Sequence, residues 1–156
     1  LSQHDFRAAE MHARKCYEMV PNDPRVLSIY GDVMVRVGSV DGGLEALERA
    51  LELDPVAQGK TNSDSRTSAV LFGHFMARDS GKCLEFIEKL QDLDSRSWLT
   101  TAKICDDEQI EYKTATWFKQ GLSKFKDVNW QNEVDRFHMN NAGAQKALEE
   151  FGNASF

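Results

Sequence analysis

The chain has 156 residues, of which 41% are hydrophobic and 28% are charged, as is usual for one folded domain with its own core. Its 19 basic and 25 acidic residues give a formal net charge of −6 at pH 7, which argues against a general nucleic-acid binder. No apolar run approaches the roughly 20 residues that span a bilayer, so we expect no membrane insertion.

The start of the chain carries no apolar segment of the kind that forms a secretory signal. Cys16, Cys83 and Cys105 show no Cys-x-x-Cys spacing, so we expect three buried, reduced thiols; the alternative is one disulfide and one free thiol. Both observations favour a cytoplasmic protein. Because the chain begins with Leu1, we interpret it as an excised piece from which a targeting segment could have been lost.

Two prolines, Pro21 and Pro55, mark the most informative pattern in the chain. Each follows an apolar-periodic run, so each is predicted to stop a helix. Between them, Gly38 separates two helical runs, since glycine readily adopts the left-handed conformation that ends a helix. Residues 24–57 are therefore predicted to form a pair of helices, and residues 1–19 a helix that precedes the pair.

Small and large side chains recur through this pair at fixed positions. They are Leu27, Gly31 and Met34 in the first helix and Gly43, Leu47 and Ala50 in the second. The small residues let the helices approach closely and the large ones fill the remaining space. The pattern resembles the tetratricopeptide repeat, whose period of about 34 residues matches the spacing of the two prolines. Residues 1–23 match its second half in the same register and are interpreted as a partial repeat.

Downstream the resemblance weakens before it returns. Polar residues 56–65 predict a loop, and residues 64–94 predict a divergent repeat with helices over 66–78 and 82–93. In this repeat the glycine and proline positions depart from the family pattern.

A closer match covers residues 95–128, where Trp98 and Phe118 fall in phase. Its helices are predicted over 96–105 and 108–125.

The C-terminal residues 129–152 predict two more helices. The first covers 129–138, and Asn140 or Asn141 would cap a second one that ends before Gly152. No alternating β-branched run bounded by hairpin turns occurs, so we expect no sheet.

The resemblance implies an all-α fold over residues 1–156, an α-α superhelix of antiparallel helix pairs with about eight helices. In this family the first helix of each pair lines a concave groove that binds a partner peptide or helix. Carried over by position, the groove residues are Arg25, Ser28, Asp32, Arg36, Phe72, Phe75, Leu99 and Lys103. Phe72 and Phe75 have core packing as an alternative. Members that bind chaperone C-termini carry Lys and Asn where this chain has Ser28 and Asp32, so a carboxylate clamp is not expected.

Other chemistries find little support in the sequence. No histidine has metal-ligand spacing, and Gly59-Lys60-Thr61 lacks the earlier glycine of a phosphate-binding loop. The acidic run 106–108 is predicted to cap a helix that follows it. We therefore expect no catalytic residue, cofactor or metal.

The expected function is a scaffold or adaptor that binds a protein or peptide. Two alternatives stay open: a repeat segment of a larger enzyme, such as a transferase, or a small secretion chaperone. The helix over 1–19 is expected to expose an apolar face, covered by a missing segment, by another chain or by a second copy through self-association.

Overall fold

The computed structural model describes residues 3–55 and 59–156, without the side chains of residues 3, 4 and 60–62. Within these residues the chain forms nine helices and no strand. They are α1 (Gln3–Met19), α2 (Pro24–Val37), α3 (Val40–Leu53), α4 (Lys60–Met76), α5 (Ser80–Ile87), α6 (Ser95–Asp107), α7 (Thr116–Lys124), α8 (Trp130–Asp135) and α9 (Ala142–Ser155). The all-α prediction is confirmed for the described residues, with nine helices rather than eight.

The contact between α2 and α3 explains the spacing of their small residues. A Cβ on Gly31 would lie 2.7 Å from the carbonyl oxygen of Gly43, and a Cβ on Gly43 would lie 2.8 Å from the carbonyl oxygen of Gly31. Leu27 and Ala50 pack together in the same interface. Residue 27 thus meets residue 50 while residue 31 meets residue 43, so the two helices are antiparallel.

The next pair, α4 and α5, repeats this contact with different side chains. The Cys83 thiol donates to the carbonyl oxygen of Leu71 over 3.8 Å. The sequence separation of Leu71 and Cys83 is the same as that of Gly31 and Gly43.

The later pairs repeat the contact between Leu27 and Ala50, in which a large residue of one helix packs against a small residue of the other. A Cβ on Gly121 of α7 would overlap the indole of Trp98 in α6, and a Cβ on Gly152 of α9 would overlap the indole of Trp130 in α8. Trp98 and Gly121 are as far apart in sequence as Leu27 and Ala50, and the pair in α8 and α9 is closer by a single position.

Asp23 and Gly38 set the two ends of α2, and the end at Gly38 is the one that the sequence predicts. The Asp23 carboxylate accepts hydrogen bonds from the backbone N–H groups of Arg25 and Val26, which have no partner in the first turn without such a cap. Gly38 ends the helix with a φ of 106°, a left-handed conformation that favours glycine.

The predicted loop over 56–65 is largely helical, because α4 begins at Lys60; residues 56–58 lie outside the described residues. The polar residues here make tertiary hydrogen bonds. Arg66, only 8% exposed, donates to the carbonyl and the carboxylate of Asp54 at 2.9 and 3.1 Å. The Asp64 carboxylate accepts two backbone N–H groups of the α5–α6 connection, each at 2.9 Å.

The helix predicted over 108–125 is shorter, since α7 begins only at Thr116. Gln109 has a φ of 58°, and the Glu111 carboxylate accepts from the backbone of Lys113 at 2.8 Å, which makes a turn. The acidic run 106–108 therefore ends α6 instead of capping a following helix, which corrects that prediction.

Three other helix ends differ from expectation. Helix α5 ends at Ile87 rather than residue 93, and α8 ends at Asp135 rather than residue 138. Helix α9 begins after the predicted cap Asn141 but continues through Gly152 to Ser155. Gly152 does not end this helix; it makes room for the Trp130 indole.

The first helices of the pairs stand in a row, with α2 against α4 and α4 against α6. At the start of this row α1 and α2 leave apolar side chains exposed, among them Met11, Met19 and Ile29. None of the helices in the described ranges is both long and apolar enough to cross a membrane.

Candidate functional site

An open cleft of about 610 Å³ lies where α2, α4, α6 and α8 come together. Its basic lining residues are Arg36, Arg96 and Arg136, its acidic ones are Asp64, Asp92, Asp94 and Glu133, and the others are Ser65, Ser68, Ser95 and Phe137. Three arginines face four acidic residues, so the charged side chains of the lining show no strong excess of either sign.

Arg96 forms the floor of the cleft. Its guanidinium carbon lies 4.6 Å from the centroid of the Phe72 ring, and one nitrogen donates to the Ser68 hydroxyl at 3.1 Å. The side chain is 12% exposed. Burial lowers the pKa of Arg96, and the Asp32 carboxylate opposes this effect by favouring the charged form.

Asp32 is shared between two arginines. Its Oδ2 accepts from Nε of Arg36 at 2.9 Å, and its Oδ1 lies 3.6 Å from Nη1 of Arg96. Asp32 Oδ1 and Arg96 Nη1 are both buried, and neither has a hydrogen-bond partner among the described residues. The second contact is therefore an ion pair held by charge alone.

The acidic residues of the cleft already accept hydrogen bonds from other groups of the protein. Asp94 caps α6 and accepts from the Ser97 hydroxyl at 2.8 Å, and Glu133 accepts from the Ser95 hydroxyl at 2.7 Å. Asp92 accepts from the Lys124 ammonium at 2.8 Å. These carboxylates are held in place by protein donors, which suits a binding surface better than proton transfer.

One wall of the cleft is formed by residues 136–140, which belong to the connection between α8 and α9 and which we call the strap. Arg36 Nη1 donates to the carbonyl oxygen of Phe137 at 2.8 Å, and the backbone N–H of Asn140 donates to the carbonyl oxygen of Arg36 at 2.7 Å. Phe137 and Met139 are buried in the main core. The strap is thus attached to the last turn of α2, which lies far earlier in the chain.

The four groove residues predicted on α2 separate in the structure. Arg36 lines the cleft, and Asp32 forms ion pairs with two of the lining arginines, Arg36 and Arg96. Arg25, with an 84% exposed side chain, pairs with the helix cap Asp23 at the other end of α2. Ser28 donates to the carbonyl oxygen of Pro24 within the helix.

The other predicted groove residues are mostly covered. Phe72, Phe75 and Leu99 are buried in the main core, which for the two phenylalanines is the alternative that the sequence left open. Lys103 is half-buried, forms an ion pair with Asp107, and has its ammonium 5.7 Å from the Phe151 ring. None of these four lines the cleft.

Sequence reasoning missed Arg96, although a signal for it was present. Arg96 follows Arg25 by the same number of residues as Leu99 follows Ser28, so the repeat alignment that gave Leu99 also gives Arg96. Arg136 and the strap had no such signal, because their place depends on contacts across the fold.

The three cysteines are free thiols, as expected, but Cys16 is only half-buried. Burial raises the pKa of Cys83 to about 12 and that of Cys105 to about 11. Because thiolates are the reactive species, we expect 5,5′-dithiobis(2-nitrobenzoic acid) at pH 8 to modify Cys16 alone in the native chain and all three cysteines in denaturant.

Modification of two or three thiols in the native chain would contradict this burial.

The raised pKa values of the buried thiols also make the free energy of unfolding depend on pH. Above the ordinary thiol value of 9.0 the unfolded state loses protons that the folded state keeps, so the free energy of unfolding falls as the pH rises toward 11 and 12.

No group of three or more His, Cys, Asp or Glu side chains is placed to hold a metal ion among the residues described. Searches of protein-family models, of curated proteins and of solved structures return no match to this chain. The resemblance to the tetratricopeptide repeat therefore depends on the residues of this chain alone.

Proposed function

We propose that the chain is a tetratricopeptide-like array of helix pairs that binds a protein or peptide in the cleft between α2, α4, α6 and α8, without catalysis. The single observation that carries the proposal is the cleft itself, whose walls come from the first helices of consecutive pairs. The contacts that recur from pair to pair at nearly constant sequence separations support the repeat architecture.

The chemistry of the cleft fits an extended polypeptide. Guanidinium groups donate to backbone carbonyl oxygens and to carboxylates, and the Ser65 hydroxyl and the engaged acids offer acceptors for backbone N–H groups. Arg96 is fixed by Phe72, Ser68 and Asp32, so little side-chain freedom is lost when a ligand binds to it. A rigid, mixed-charge surface of this kind favours one register of a peptide over others.

The two alternatives from the sequence, a segment of a larger enzyme and a small secretion chaperone, also imply a peptide-binding face. One experiment therefore tests what all three have in common.

The test is selection from a phage-displayed random peptide library, followed by calorimetric titration of the enriched peptides. Ser65 is exposed on α4 at the rim of the cleft, so Ser65→Trp fills the cleft without touching the core. We expect the enriched peptides to lose at least about tenfold in affinity for this variant, which is about 1.4 kcal/mol.

The matched control is Ser123→Trp, which adds the same side chain at an exposed position of α7 outside the cleft. This variant should bind like the wild type. No enriched peptide, or peptides that bind both variants equally well, would rule the proposal out.

A further inference from the structure

The strap crosses the row of first helices. Just before it, Glu133 accepts from Ser95 at the start of α6, and at its end Asn140 donates to Arg36 at the end of α2. Helix α4 stands between α2 and α6. An irregular segment of the chain therefore runs across this row of helices, along the cleft in which the proposed function places a peptide.

The strap makes main-chain and side-chain contacts that a bound peptide could replace. One main-chain carbonyl, that of Phe137, and one main-chain N–H, that of Asn140, pair with the same residue of α2. Two apolar side chains, Phe137 and Met139, enter the core, while His138 between them stays exposed. Arg136 and Phe137 form a turn and His138 has a left-handed φ of 51°, so the strap turns both apolar side chains inward without being extended.

Two of the predicted groove residues share the main core with the strap. Phe72 and Leu99 belong to the same core cluster as Phe137 and Met139. These predicted groove residues are thus buried in the same core as the side chains of the strap.

We propose that the strap is a built-in occupant of the groove and that a partner peptide with an aromatic residue two positions before an apolar residue displaces it. This inference depends on the proposed function. Docking of the strap and binding of such a peptide are mutually exclusive, so the affinity for the peptide is set partly by the stability of the docked strap.

His138 offers a way to change that stability without removing a core side chain. Its φ of 51° is left-handed, a conformation that is strained for most residues and relaxed for glycine. Since the side chain is exposed, His138→Gly is expected to hold the strap more firmly, and His138→Val, with a β-branched side chain, less firmly.

The probe is a fluorescein-labelled peptide with the sequence of residues 133–141, Glu-Val-Asp-Arg-Phe-His-Met-Asn-Asn, titrated with the full chain and followed by anisotropy. We expect the His138→Val chain to bind it at least about fivefold more tightly than the His138→Gly chain, with the wild type between them. The same peptide with alanine in place of its phenylalanine should not bind.

Hydrogen exchange in the wild type gives a second readout that needs no variant. Saturating peptide should raise the exchange rate of the Asn140 amide, because its hydrogen bond to Arg36 is lost when the strap leaves. Equal affinity in the two His138 variants, or an Asn140 amide that stays protected at saturation, overturns the inference.

The outcomes separate the two proposals. Library peptides that lose affinity for Ser65→Trp but bind both His138 variants equally overturn the strap as an occupant and leave the proposed function standing. If neither the library peptides nor the nonapeptide bind any form of the chain, both proposals fail.

Discussion

Gly121→Ala is expected to lower the free energy of unfolding by about 3–5 kcal/mol. The added Cβ would lie 1.9 Å from Nε1 of Trp98 and 2.1 Å from its Cδ1. The indole has no room to retreat, since it is fully buried and its ring centroid lies 5.3 Å from that of Phe118 and 5.6 Å from that of Trp130.

A shift of Trp98 would also break the hydrogen bond that its N–H donates to the carbonyl of Phe118 at 3.1 Å. Overpacking by one methyl group costs about 1–3 kcal/mol, and a buried donor left unpaired costs about as much again. Urea unfolding followed by tryptophan fluorescence measures the loss.

The control for this change is Gly42→Ala in α3. A Cβ on Gly42 would meet no atom within 4 Å. Replacing an exposed helical glycine with alanine should raise the free energy of unfolding by about 0.5–1 kcal/mol. Equal effects at Gly42 and Gly121 would contradict the close contact of α6 and α7.

Asp32→Ala is expected to lower the free energy of unfolding by about 3 kcal/mol, measured in the same way. Without this carboxylate the guanidinium groups of Arg36 and Arg96 face each other with no anion between them. The charge of Arg36 already lowers the pKa of Arg96, which shows the sign of that interaction. Removing one partner of a buried pair costs about 3–5 kcal/mol; Asp32 is a quarter exposed, so the low end applies.

A second substitution separates charge from packing. Arg96→Met keeps an apolar side chain above the Phe72 ring, so the double variant Asp32→Ala/Arg96→Met should recover much of the lost stability. A double variant no more stable than Asp32→Ala would show that repulsion between the two arginines is not the cause.

The helix pairs could be predicted from the sequence because their contacts are local. Leu27, Gly31 and Ala50 lie within one hairpin, so the sequence spacing of small and large residues reflects the packing directly. Trp98 was likewise in phase with the repeat pattern, and in the structure it packs against Gly121 of the next helix.

The remaining features depend on distant partners. The polar start of α4 resembles a loop because its role is to bind Asp54 and the α5–α6 connection, and a local pattern does not show such partners. Arg36 appeared in the sequence as a groove residue, but its bond to Phe137, 101 residues away, appears only in the fold. Of the residues that line the cleft, the sequence therefore predicted Arg36, together with its ion-pair partner Asp32, and it did not predict the strap.

A row of helix pairs in which each pair touches only its neighbours can fray from either end, because each unit has its own stability. The two hydrogen bonds between Arg36 and the strap join the beginning of the row to its end. We therefore expect the chain to unfold in a single cooperative thermal transition. We also expect it to fold more slowly than a helical array of the same length whose ends are not in contact, because the contact between Arg36 and the strap joins residues that are distant in sequence.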